Sequence, residues 1–199
     1  MDIDASMSPA PTNAPRILLV RFGAMGDIVH SLPAAAALRR ALPQARIDWL
    51  VETRWNALLA GAPYGPLNEI ITVDTFALRR SLAATATRQA VRALVQRLRG
   101  NQYDMAVDLQ GAIKSAVACK LSGARQRIGF AAPWLRENAA GIFYTSRVTS
   151  GAAHIVDAYR DLVSSIVLPN GGALTDNYPE FPLPPGDDST LPEIGRAHV

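Results

Sequence analysis

The feature that most constrains this chain is an unbroken apolar run, Arg16–Phe22 (RILLVRF), that meets a glycine-punctuated break and then a helical repeat. A β-favouring run without polar alternation is what a strand covered on both faces of a parallel sheet requires. After the break Gly23-Ala24-Met25-Gly26-Asp27, residues Ile28, Leu32, Ala35, Ala36 and Leu38 recur at helical spacing as far as Ala41. Pro43 ends that helix and Ile47–Val51 (IDWLV) supplies a second strand, so the chain opens with a βαβ unit. A right-handed crossover is nearly obligatory for such a unit, and later elements are then added to one sheet.

The alternation continues. The pattern predicts a short helix near Arg54–Ala60, a strand at Glu69–Val73, a long helix from about Ser81 to Arg99 and a strand at Met105–Leu109. A helix at Lys114–Leu121, a strand at Arg127–Phe130 and a last helix at His154–Val167 follow. The fold class expected is therefore α/β, a Rossmann-like doubly wound parallel sheet. Ligands of such sheets bind beyond the carboxyl ends of the strands, which directs attention to the loops after Phe22, Val73 and Leu109.

The ends read differently. Met1–Pro15 is rich in Pro, Ser, Ala and Asp and has no basic segment leading into an apolar one, so a disordered leader is expected rather than a signal peptide. Residues 16–168 form the expected domain. From Pro169 to Pro192, Pro, Gly and Asp are dense and no apolar period survives, which predicts a linker. The last residues, Glu193–Val199, match the translation of a common sequencing-adapter sequence, so an artificial end to the reading frame is expected.

No apolar run approaches the roughly 18 to 20 residues of a membrane-spanning helix. The single cysteine, Cys119, excludes an internal disulfide framework and fits a reducing cytoplasm. Net charge is only +3, yet 18 of the 20 basic residues are arginines, whose planar fork suits phosphate and carboxylate. An acidic partner and a GC-rich genome explain that bias equally well. Arg88, Arg92, Arg97 and Arg99 fall on the long helix and read as a solvated face, which is also suited to anionic lipid.

Chemistry is expected first in the loop at residues 23–27, where backbone N–H groups and a helix dipole favour an anion. The loop is not a dinucleotide fingerprint: it has GxxG spacing only, and an acid stands where a diphosphate would lie, which disfavours a NAD-type protein. Asp27 at the helix start reads either as an N-cap or as a carboxylate poised to accept a proton from a substrate hydroxyl. His30, one turn on, neighbours it as a packing or capping residue.

These residues resemble a family. The string RILLVRFGAMGDIVHSLPAAAALRRALPQARIDWLVE is similar to the opening of glycosyltransferase family 9, the lipopolysaccharide heptosyltransferases. The stretches Tyr103-Asp104 with Val107–Ala116 (VDLQGAIKSA), Leu135–Ala140 and His154–Arg160 resemble further signatures of that family, in the family's order. Within the family, GDIVHSLPA and DLQGAIKSA favour the heptosyltransferase I branch.

The resemblance, which spans roughly Arg16–Leu168, implies the N-terminal, acceptor-binding half of a GT-B enzyme, with the donor-binding half absent. It implies an inverting transfer of heptose from ADP-heptose to Kdo-lipid A, with no cofactor, metal or nucleic acid, in the cytoplasm and on the inner membrane surface. Asp27 is then the catalytic base, and Met25 and Gly26 belong to its loop. Arg79 and Arg80, taken as loop residues beyond the strand at Glu69–Val73, correspond to a basic acceptor loop, although Phe76-Ala77-Leu78-Arg79-Arg80 is less densely basic than the family pattern, and a solvated helix start accounts for them equally well. Gln110, Lys114 and Arg136 complete the acceptor set. Arg136 reads both as an anion ligand and as a stacking partner of Trp134. The alternatives carried are a later-heptose transferase of type II or III and, for these residues alone, a non-catalytic acceptor-binding domain.

Overall fold

A computed structural model describes residues 14–60, 65–80 and 85–168 together with 174, 181 and 183; for 78–80 it describes the backbone alone. Six strands, β1 (Arg16–Val20), β2 (Arg46–Glu52), β3 (Glu69–Val73), β4 (Met105–Asp108), β5 (Gln126–Phe130) and β6 (Ser146–Val148), form one parallel sheet in the order β3-β2-β1-β4-β5-β6. The α-helices among the described residues are α1 (Met25–Ala41), α2 (Asn56–Leu59), α3 (Thr75–Arg80), α4 (Thr85–Gly100), α5 (Ile113–Leu121) and α6 (Ile155–Val167). The sheet grows outward from β1 in both directions, so the order reverses between β1 and β4. A crevice opens at such a switch point because the flanking connections leave on opposite faces.

Those faces are covered as the apolar strands demand. Ile17, Leu19, Ile47, Trp49 and Val107 point to one side, where α1 packs Ile28, Leu32 and Leu38 and α6 packs Ala158, Leu162 and Val163. Leu18, Val20, Leu50 and Ala106 point to the other, against Leu98 of α4 and Cys119 of α5. Burying each Leu or Ile side chain contributes about 1.5–3 kcal/mol. Helix α1 is enclosed along Ser31–Leu38, which explains why that stretch carries small alanines rather than one apolar stripe.

The amino ends of the strands are held by charge. Glu69 at the start of β3 pairs with Arg46 and Arg97 and accepts from Asn101 Nδ2 at 3.3 Å. Beside it the buried Asp48 accepts from Tyr103 OH at 2.8 Å and Arg46 Nε at 2.9 Å.

The α/β class and parallel sheet are as the sequence predicts, with several differences in detail. Helix α1 begins at Met25, ahead of the expected Ile28, because Ala24 takes the N-cap position. β6 was not anticipated. Arg79 and Arg80 lie in α3 rather than on a loop. Asp74 accepts from Ala77 N–H at 2.8 Å, an N-cap bond that starts a helix where a connecting loop was expected. The expected helix start at Ser81, the leader up to residue 13 and most of 169–199 lie outside the described residues. Among the described residues no helix is long and apolar enough to cross a membrane.

Candidate functional site

The loops leaving β1 and β4 are tied together at the switch point. Phe22 N–H donates to Gln110 Oε1 at 3.0 Å, and Arg21 Nη1 donates to the Leu109 carbonyl at 2.6 Å. Below them Asp108, fully buried, accepts from the Gln110 and Gly111 N–H groups, the Ser115 hydroxyl and the Tyr144 hydroxyl, all at 2.7–3.0 Å. Burial pushes the Asp108 carboxyl up from its ordinary value, and these donors partly offset the shift. Asp108 therefore shapes the loop that carries Gln110.

Two hollows share this loop. A cleft of about 530 Å³ is lined by Phe22, Gly23, Glu52, Arg54, Phe76, Gln110, Lys114 and Arg136. A recess of about 240 Å³ is lined by Arg21, Asp27, Gln110, Trp134, Arg136 and Tyr159. Gln110 and Arg136 border both.

Asp27 lies in the first turn of α1, three residues past the N-cap Ala24. The carboxylate does not cap as expected from position N-cap; it folds back so that Oδ2 accepts from Ala24 N–H at 3.3 Å and pairs with Arg21 Nη2. Its side chain remains 37% exposed while that of Arg21 is 4% exposed, so the carboxylate is the more open partner of a pair that lines the recess. Arg21 lies over the Tyr159 ring, 5.7 Å from its centroid. Burial raises the Tyr159 hydroxyl above its ordinary value, against the opposing charge of Arg21.

The other expected residues fall as follows. Met25 and Gly26 are exposed beside Asp27, and a Cβ added to Gly26 meets nothing within 4 Å. Gln110 is nearly buried and lines both hollows. Lys114 Nζ is 5.4 Å from the Phe22 ring centroid at the cleft wall. Arg136 is exposed; the stacking with Trp134 is not formed, since that ring tilts against Phe130 and donates Nε1–H to the Ser150 carbonyl at 3.2 Å. The side chains of Arg79 and Arg80 lie outside the described residues, so neither is placed in the cleft. His30 meets the His154 ring edge-on at 5.8 Å, between α1 and α6.

Sequence reasoning missed Arg21 and Arg54. Arg21 was read as one letter of an apolar strand; a cation in a run covered on both faces was the available signal. Arg54 lies over Phe76 and Trp55, 4.9 and 5.0 Å from the ring centroids, and its guanidinium borders the cleft. The sequence signal for it was the Arg54-Trp55 pair just past β2. Among the described residues no three His, Cys, Asp or Glu side chains are grouped to hold a metal ion.

Comparison with known proteins bears on this geometry. The model of glycosyltransferase family 9 (heptosyltransferase) matches residues 91–186, which include β4, the Gln110 loop and α6. Lipopolysaccharide heptosyltransferase 1 of Pseudomonas aeruginosa is 32% identical over 148 residues, covering 74% of this chain and 41% of the relative.

The chain belongs to glycosyltransferase family 9.

Its family 9 relatives also include lipopolysaccharide heptosyltransferase 1 of Escherichia coli strain K12, 26% identical over 148 residues that make up 74% of this chain and 46% of the relative. The chain thus spans less than half the length of these curated relatives. Among solved structures, E. coli heptosyltransferase WaaC with ADP superposes with a TM-score of 0.68 at 26% identity, covering 75% of this chain and 47% of that one. The same enzyme with ADP-2-deoxy-2-fluoro heptose gives a TM-score of 0.73 at 24% identity, over 83% of this chain and 51% of the other.

Proposed function

We propose that this chain is the acceptor-side half of an inverting heptosyltransferase that acts in lipopolysaccharide core synthesis. The donor is ADP-L-glycero-D-manno-heptose, and the acceptor is a hydroxyl of the Kdo on lipid A. The observation that carries the reading is the partly exposed Asp27 carboxylate at the switch point, next to a cleft bordered by the cations Arg54, Lys114 and Arg136. An acceptor bearing carboxylates and phosphates is drawn to such a wall, where charge-assisted hydrogen bonds are strongest.

In this mechanism Asp27 accepts the hydroxyl proton as the hydroxyl oxygen bonds to the anomeric carbon. The bond from that carbon to the diphosphate oxygen breaks, and ADP leaves with the electron pair. Attack from the face opposite the leaving group inverts the anomeric centre. Lys114 and Arg136 hold acceptor charge, and the resemblance adds Arg79 and Arg80 to the acceptor-binding set. The same reading places the protein in the cytoplasm at the membrane that carries the lipid acceptor, with the exposed Arg88 and Arg92 of α4 available to anionic headgroups.

The test is ADP release from ADP-heptose and Kdo-lipid A by the full-length protein that includes this chain, for wild type and Asp27→Ala. A loss of about a hundredfold or more with the fold intact is expected. Near-normal release by the variant returns Asp27 to a structural role. An acceptor that already carries the first heptose separates the transfers: preference for it reassigns the protein to a later addition.

A further inference from the structure

We propose that Arg21 is the positioning residue of the site, holding one oxygen of Asp27 so that the other, Oδ1, is the one that takes the proton. This rests on the reading of Asp27 as base.

An arginine side chain 4% exposed is costly to bury, and an ion pair in such a place seldom adds stability over apolar side chains of similar volume. The position directly follows the strand Arg16–Val20, where an aliphatic residue would continue the core. The protein instead keeps an arginine whose Nε is buried with no hydrogen-bond partner among the described residues. What the arrangement obtains is geometry. Nη1 is fixed on the Leu109 carbonyl at 2.6 Å, the Tyr159 ring covers the guanidinium plane, and Nη2 is thereby aimed at Asp27.

Both protein partners of the Asp27 carboxylate among the described residues, the ion-paired Arg21 Nη2 and the Ala24 N–H that donates to it, meet it at Oδ2. Among the described residues Oδ1 accepts no hydrogen bond, and the carboxylate borders the recess. The carboxylate is therefore pinned through one oxygen and offers the other. The hydroxyl proton passes to Oδ1, the hydroxyl oxygen forms its bond to the anomeric carbon, and the diphosphate departs with the electrons of the broken bond. Lysine cannot replace this anchor, because one ammonium lacks the fork that reaches Leu109 and Asp27 together in fixed directions.

The experiment measures kcat and acceptor KM in the full-length protein for Arg21→Met, Arg21→Lys, Asp27→Asn and the Arg21→Met/Asp27→Asn double variant, with folding checked by thermal unfolding. Misplacing a catalytic group by about 1 Å costs on the order of a hundredfold, so Arg21→Met is expected to lose about that factor in kcat at nearly unchanged KM. Arg21→Lys is expected to recover only part of the loss. If Arg21 acts through Asp27, the double variant is no slower than Asp27→Asn alone.

Losses that multiply in the double variant overturn the proposal, as does an Arg21→Met effect confined to KM or to stability. Should Arg21→Met not fold, Arg21→Lys decides: a kcat equal to wild type overturns it, and a reduced kcat at constant KM supports it. A normal rate in Asp27→Asn removes the base reading and this inference with it. An inactive Asp27→Asn beside an unaffected Arg21→Met removes this inference alone.

Discussion

Gly111, between Gln110 and the start of α5, has φ +68°, and an added Cβ would meet Arg136 N at 3.1 Å and the Trp134 carbonyl oxygen at 3.5 Å. The left-handed backbone alone costs an L-residue about 1–2 kcal/mol. The close approach means that the Arg136 segment seats against this turn, an arrangement also held by Glu137 N–H on the Gly111 carbonyl at 2.9 Å. Gly111→Ala is therefore expected to destabilise the fold by about 1–3 kcal/mol in denaturant unfolding. Gly26→Ala, with open space around its Cβ and no left-handed backbone, is expected to leave stability unchanged. Equal stability of the two variants contradicts the seating of Arg136 on the turn. Any activity lost in Gly26→Ala then reports on ligand approach rather than on folding.

At the scale of elements, the sheet separates its charges by function: an ion-pair network joins the amino ends of β2, β3 and the turn before β4, and the candidate site occupies the carboxyl ends. Burial raises the Glu69 carboxyl, but hydrogen bonding and charge from Arg97, with help from Arg46 and Asn101, outweigh it and leave the group below its ordinary value. A carboxylate lowered in the folded state contributes stability above its unfolded pKa, and that contribution is lost as pH falls through the folded value. Glu69→Gln is thus expected to cost about 1 kcal/mol at neutral pH, discounted for the half-exposed Arg97, and the gap to wild type should narrow below about pH 4.3. A gap that does not change with pH rules this account out.

Length alone did not decide which elements were legible, since the four-residue α2 falls within the helix expected at Arg54–Ala60. The run Arg16–Phe22 announced a buried parallel strand because every residue in it but the arginines favours the interior, whereas β6 has three residues and shows no period. Helix α3 was read as a connecting loop, with a solvated helix start as the alternative at Arg79 and Arg80, although Asp74 carried the cap signal. In the site, the GxxG loop and the Gln110 turn were found from their places after strands. The burial of Arg21 and the stacking of Arg54 depend on neighbours distant in sequence, which no local pattern encodes.

At the scale of the whole molecule, the chain spans 36–46% of the curated relatives it matches. On the mechanism proposed, groups from a donor-binding half must meet Asp27 across the switch-point crevice. The 199-residue chain alone is therefore expected to release no ADP from ADP-heptose and Kdo-lipid A, while still binding the anionic acceptor in calorimetry. Turnover by this chain alone contradicts that division of labour. The hydrogen bonds that close the switch point, Arg21 to Leu109 and Phe22 to Gln110, each join residues 88 positions apart. Long-range pairings of this kind form slowly, because a large loop must be closed before any contact rewards it. The βαβ unit of β1, α1 and β2 is local in sequence, whereas the bonds to Leu109 and Gln110 need β4 beside β1. The surroundings of the carboxylate are thus set by tertiary assembly across 88 residues of chain rather than by the βαβ unit alone.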